Sequence, residues 1–115
     1  MSEQHFVKNI EFSAPLSLVD LVEYQEGQVI SRTFAQSKSL SLTLFAFHEG
    51  EGLSTHTAAG DAFVQILDGE ASVNIGGKEV QVGTGQIVVM PANIPHSLHA
   101  NTRFKMLLTV IKGAD

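Results

Sequence analysis

Between Gln28 and Lys112 the chain is a series of short runs rich in β-branched and aromatic residues. Each is stopped by glycine, proline or a polar pair before several helical turns could form. QVISRTFAQ (28–36) has no strong helical period. SLSLTLFAFH (39–48) alternates, with Leu40, Leu42, Leu44 and Ala46 on one face and Phe45 and Phe47 on the other. Both faces of that strand are apolar, so it is expected to be covered on both sides. AFVQILD (62–68) is expected to stop at the turn pair Asp68-Gly69, and ASVNI (71–75) to alternate again with Val73 and Ile75 inward. GGKE (76–79) reads as a tight hairpin, because glycine tolerates positive φ. EVQV, QIVVMP, HSLHA and FKMLLTVIK complete the series. Short strands at regular spacing with glycine-rich turns imply an all-β sandwich or barrel. Only PLSLVDLVEY (15–24) has a helical period, and it is short.

The length of 115 residues suits one domain, 1–115, with a barrel at about 28–112. A composition of 43% hydrophobic and 17% charged residues is that of a globular chain. The net charge of −5 and seven scattered basic residues argue against a nucleic-acid partner, which needs clustered Lys and Arg. The longest apolar runs, IVVM (87–90) and LLTVI (107–111), are too short to span a membrane. The opening stretch MSEQHFVKNIEF has no apolar secretory core, so the expected location is cytoplasmic. With no cysteine, disulfides, thiol nucleophiles and thiolate metal sites are excluded, and any metal must be held by His, carboxylate or amide groups.

Two spacings carry more than fold class. Gly50 is followed after five residues by His56, then by Ala58, Ala62 and Gly69 at fixed intervals. Gly85 is followed after five residues by Pro91, then by Asn93 and His96. This pattern resembles the two motifs of the cupin superfamily, G-x5-H-x-H-x3–4-E-x6-G and G-x5-P-x-G-x2-H-x3-N, over about residues 40–112, with MPANIPH its most specific part. The resemblance implies a double-stranded β-helix, or jelly-roll, barrel of six to eight strands, here with a short N-terminal helix or strand extension and a cavity at one end. In typical members three histidines and a glutamate bind a divalent metal there, and small members are commonly homodimers.

Half of that ligand set is missing. His56 matches the first histidine and His96 the last, but the second histidine position is Ala58 and the glutamate position is Ala62. Alanine donates no lone pair, so His56 and His96 remain as metal candidates, and two imidazoles alone make a weak site. Asp61, Gln65, His48 and His99 are the possible third ligands. Strand alternation puts Asp61 and Gln65 out of phase unless a bulge intervenes, and His99 points away from His96 in a regular strand. Each has a plainer role available: Asp61 in the turn AAGDA, Gln65 in a cross-strand or subunit hydrogen bond, His48 and His99 at the rim. The expected function is small-molecule binding in the barrel at a degenerate site holding Fe, Mn, Ni, Cu or Zn. If the chain is catalytic, the metal acts as Lewis acid or oxygen-binding centre and a histidine transfers the proton. The alternatives are a metal-free ligand-binding or sensing module, and a scaffold whose working surface is its dimer interface. GTG (83–85), the Ser54/His56 pair and the acidic residues Glu49, Glu51 and Asp61 fit no phosphate cradle, nucleophile elbow or carboxylate pair better than they fit turns and solvated loops.

Overall fold

The computed structural model describes residues 4–113; residues 1–3 and 114–115 lie outside it. Eight strands follow in order: β1 Val29–Gln36, β2 Leu40–Phe47, β3 Gly52–His56, β4 Asp61–Ile75, β5 Lys78–Gly83, β6 Ile87–Met90, β7 His96–His99 and β8 Phe104–Ile111. All pairings are antiparallel. One sheet runs β1-β2-β8-β4-β6 and the other β5-β4-β7-β3, so β4 belongs to both.

The expected break at Asp68-Gly69 is instead a bend inside one strand of 15 residues. The register against β8 shifts between Ile66 and Asp68, and Gly69 takes φ +82°. A bulge followed by a left-handed residue turns the strand without ending it, so its first half pairs in one sheet and its second half in the other. A Cβ at position 69 would run into the Arg103 carbonyl and Phe104, which is why glycine stands at this corner. The GGKE hairpin has the expected geometry: Gly76 and Gly77, at φ +59° and +91°, form a two-residue turn between Ile75 and Lys78.

The space between the sheets is filled by Phe47, Val64, Ile66, Val73, Leu98, Phe104 and Met106, with Phe47 and Phe104 stacked at 4.5 Å between ring centres. A second cluster lies on the outer face of the first sheet. Phe34, Leu44 and Ala46 are covered there by Ile10, Leu18, Leu21, Val22 and Tyr24 from the N-terminal segment. This explains why the 40–47 run is apolar on both faces. The expected N-terminal helix is reduced to one turn of 3-10 helix, Leu18–Leu21, whose apolar side chains serve as that cover. The segment is pinned by side chains from below. Lys105 Nζ donates to Val19 O at 2.7 Å, Arg32 Nη1 donates to Leu21 O at 2.9 Å, and Tyr24 OH donates to Asp68 Oδ2 at 2.6 Å.

Candidate functional site at the facing histidines

His56 ends β3 and His96 begins β7, and the two residues are direct cross-strand partners. The register shifts between Leu53 and His56, and this irregularity brings the end of β3 opposite the start of β7. Two hydrogen bonds then fasten the loops that carry them. Asn93 N–H donates to Ala58 O at 2.8 Å, and Ala92 N–H donates to Asp61 Oδ1 at 2.8 Å. Asn93 sits at φ +64°, a left-handed conformation that asparagine tolerates better than most residues, and it occupies a position where the motif carries glycine. Pro95 precedes His96 and its carbonyl accepts from Gly76 N–H at 2.8 Å, so the approach to His96 is held on both sides.

Each ring is fixed by its Nδ1. That of His56 lies 2.7 Å from Ser54 O, and that of His96 lies 3.2 Å from Ile94 O. A carbonyl only accepts, so both Nδ1 atoms carry the hydrogen, and each ring turns its Nε2 outward. Those two Nε2 atoms face each other at 3.1 Å, with the rings at 71°. Two lone pairs at this separation repel. The arrangement is satisfied only when something positive stands between them, either a proton shared by the pair or a cation. His56 is exposed and His96 is 3% exposed. Burial holds the His96 imidazole below its ordinary value. The Ile94 carbonyl opposes that shift and the neighbouring His56 adds to it.

The other sequence candidates lie elsewhere. Asp61 is a clamp between the two motif loops. Ala62, Val64 and Ile66 are buried inward on β4, which puts Gln65 on the outer face between Ile87 and Leu107. His48 Nδ1 accepts from Gly27 N–H at 3.1 Å at the base of β1. His99 is exposed in β7, on the opposite phase from buried His96 and Leu98. Among the described residues no three His, Cys, Asp or Glu side chains are grouped to hold a metal. The carbonyls of Ser54 and Ile94, which set both tautomers, were not visible in the sequence, because any residue supplies a carbonyl. Asn93 could have been found, since a left-handed turn is a role that sequence betrays.

The profile of the cupin domain matches residues 43–112. The chain belongs to the cupin family. This cupin is 38% identical to a conserved protein of unknown function from Streptococcus pyogenes, with a TM-score of 0.96 over 99% of this chain and 100% of that one. It is 33% identical to a cupin superfamily protein from Desulfitobacterium hafniense, with a TM-score of 0.88 over 93% and 98% of the two chains. Among curated proteins it resembles an uncharacterized protein from Streptomyces coelicolor, 29% identical over 66 residues, which span 57% of this chain and 63% of that protein. The barrel expected from the two motifs is thereby established. No helix of the described cupin is long and apolar enough to cross a membrane.

Proposed function

We propose that this cupin binds a small molecule through a divalent first-row metal held by His56 and His96, with the ligand supplying the donors that the protein lacks. One observation carries the reading: both Nδ1 atoms are committed to carbonyls and both Nε2 lone pairs converge at 3.1 Å. Two imidazole nitrogens bound in adjacent positions on one ion, each at about 2.0–2.1 Å, stand about 2.9–3.4 Å apart, so the pair fits half of a coordination shell. The carbonyl behind each ring is the outer partner that orients a metal-binding histidine and raises its basicity. Alanine at 58 and 62 leaves the other half of the shell to exogenous oxygen or nitrogen atoms. A metal bound here supplies Lewis acidity toward those atoms. His56, the exposed member of the pair, is the group placed to accept a proton from an arriving ligand when no metal holds it.

A second reading is favoured by the lack of a third grouped ligand among the described residues. In it the pair shares one proton and contacts an organic ligand directly, without metal. One titration separates the two. Untagged protein, stripped with chelator, is titrated with Zn2+ and Ni2+ by calorimetry beside His56→Ala and His96→Ala. The metal reading expects one ion per chain and at least a tenfold loss of affinity in each variant. Equal affinity in all three proteins refutes it. No uptake by the parent protein, together with ligand-induced stabilisation that chelator leaves unchanged, selects the second reading.

A further inference from the structure

Three of the seven basic residues collect at one end of the fold. Lys38 stands in the turn between β1 and β2, and Lys112 N–H donates to Ser39 O of the same turn at 2.9 Å. Lys8 belongs to the N-terminal segment beside β1, where its N–H donates to Phe34 O at 2.7 Å and Asn9 Nδ2 donates to Thr33 O at 2.7 Å. The other four are placed differently. Arg32 is taken up by the carbonyls of Asn9 and Leu21, Arg103 and Lys105 lie over the Tyr24 ring, and Lys78 opens β5 in the other sheet. Between the N-terminal segment and the β1–β2 turn a hollow of about 530 Å3 opens, with Phe6, Val7 and Lys8 on one side and Ala35, Gln36 and Leu40 on the other. Both walls are fixed by the folded chain. The bonds from Lys8 and Asn9 hold the first, and Asn9 turns the segment there at φ +61°. The second is held by Ser37, whose N–H donates to Leu40 O at 2.8 Å and whose Oγ accepts from Leu40 N–H at 3.2 Å.

We infer that this hollow binds a small organic monoanion, a carboxylate on an apolar body, with Lys8 as its charge partner. Shape and size come first. A concave space with preformed walls, within the range of about 300–1,000 Å3 that small-molecule pockets occupy, suits a single small ligand. The apolar body follows from the lining. Phe6 is 79% exposed in the unliganded chain, and with Val7, Ala35 and Leu40 it offers a surface that an apolar ligand covers. The head group follows from charge. Lys8 is the permanently charged group of the lining, His5 its only other titratable member, and no carboxylate lines it, so the match is to one negative charge. A phosphate, at about −1.5 to −2, fits less well. Gln36 adds an amide donor that a carboxylate oxygen can accept. A chain of net charge −5 repels anions over most of its surface, and Lys38 and Lys112 make this end the one they can approach. The hollow shares no residue with the histidine pair, so this binding is independent of any metal there.

The test is calorimetric titration of the full chain, treated with chelator, with octanoate, octylammonium and acetate. Octanoate is expected to bind at one per chain. Octylammonium, which keeps the tail and reverses the charge, is expected to bind at least about tenfold more weakly, and acetate, which keeps only the head, to give no measurable heat. Lys8→Met keeps the apolar stem and removes the charge, and is expected to weaken octanoate roughly tenfold, the loss of one charge-assisted contact. Phe6→Ala is expected to weaken it by a similar factor. Both residues are exposed, so neither change threatens the fold. Lys78→Met makes the same change of net charge in the other sheet and is expected to leave octanoate binding unaltered. No binding of octanoate up to about 10 mM overturns the inference. So does octylammonium binding as tightly as octanoate, and so does a Lys8→Met variant that matches Lys78→Met.

Discussion

Asp61 offers the sharpest test of how the candidate site is held, because two roles for it predict opposite results. As a clamp, its Oδ1 accepts the Ala92 N–H at 2.8 Å and ties the start of β4 to the loop leading into His96. As a metal ligand it would leave that N–H and turn inward. Asp61→Ala removes the acceptor. A hydrogen bond to a charged group is worth roughly 1.5–3 kcal/mol, but Asp61 is exposed and water replaces part of the contact, so the loss is about 1 kcal/mol. With an unfolding entropy near 2.1 cal/mol/K per residue, a chain of 115 residues loses about 4 °C in Tm for each kcal/mol. Asp61→Asn keeps an oxygen acceptor of the same reach and should lose only about 1 °C by the same conversion. Calorimetric melting and metal titration of both variants decide the matter. The clamp reading expects the alanine variant to melt about 4 °C low with metal affinity modestly reduced, and the asparagine variant to melt within about 1 °C of the parent with unchanged metal affinity. An asparagine variant that keeps its Tm but loses metal as completely as His56→Ala does would refute the clamp and restore Asp61 as a ligand.

Burial depresses the His96 imidazole below its ordinary 6.5, so folding favours its neutral form. The associated stability is complete above pH 6.5 and is lost as the pH falls from there through the lower folded-state value, since the unfolded chain takes up the proton first. Denaturant melts of chelator-treated protein between pH 7.5 and 5.5 should therefore show a decline that His96→Gln flattens; an equal decline in the variant would contradict the assignment. At the sheet corner, Gly69→Ala must accommodate both φ +82° and a collision with the Arg103 carbonyl, and should cost more than about 2 kcal/mol. Gly77→Ala, at φ +91° with nothing near its added Cβ, should cost about 1 kcal/mol, and equal losses would mean that strain alone governs both.

The strands were legible from Gln28 onward because each carries its own period and its own stop. β2 and β8 alternate visibly, and the Gly76-Gly77 turn needs no tertiary information. β4 was misread at its centre for a physical reason. Asp68-Gly69 is the signature of a turn, and it does produce a positive φ, but flanking pairs to β8 on one side and to β5 on the other keep the strand running through the bend. Local sequence encodes the bend, whereas the pairing that turns a stop into a corner is nonlocal. The short N-terminal turn has the same origin. Leu18, Leu21 and Val22 have a helical spacing, but the requirement they satisfy is to cover Leu44 and Ala46.

The site divides along the same line. His56 and His96 were found from spacing, forty residues apart, and the barrel makes them cross-strand partners. Spacing could not say what either ring nitrogen does, because the atoms that decide it are main-chain carbonyls of Ser54 and Ile94. Nor could it sort the remaining polar residues. Asp61 stands one position before buried Ala62, so strand phase turns its carboxylate to the loop that delivers His96. Alanine stands at 58 and 62, yet His56 and His96 sit in a well-fixed frame: a register shift, the Asp61 clamp, left-handed Asn93 and both Nδ1–carbonyl contacts. Holding two lone pairs at 3.1 Å is costly unless a cation or shared proton repays it, and this is the physical reason to seek function at that point.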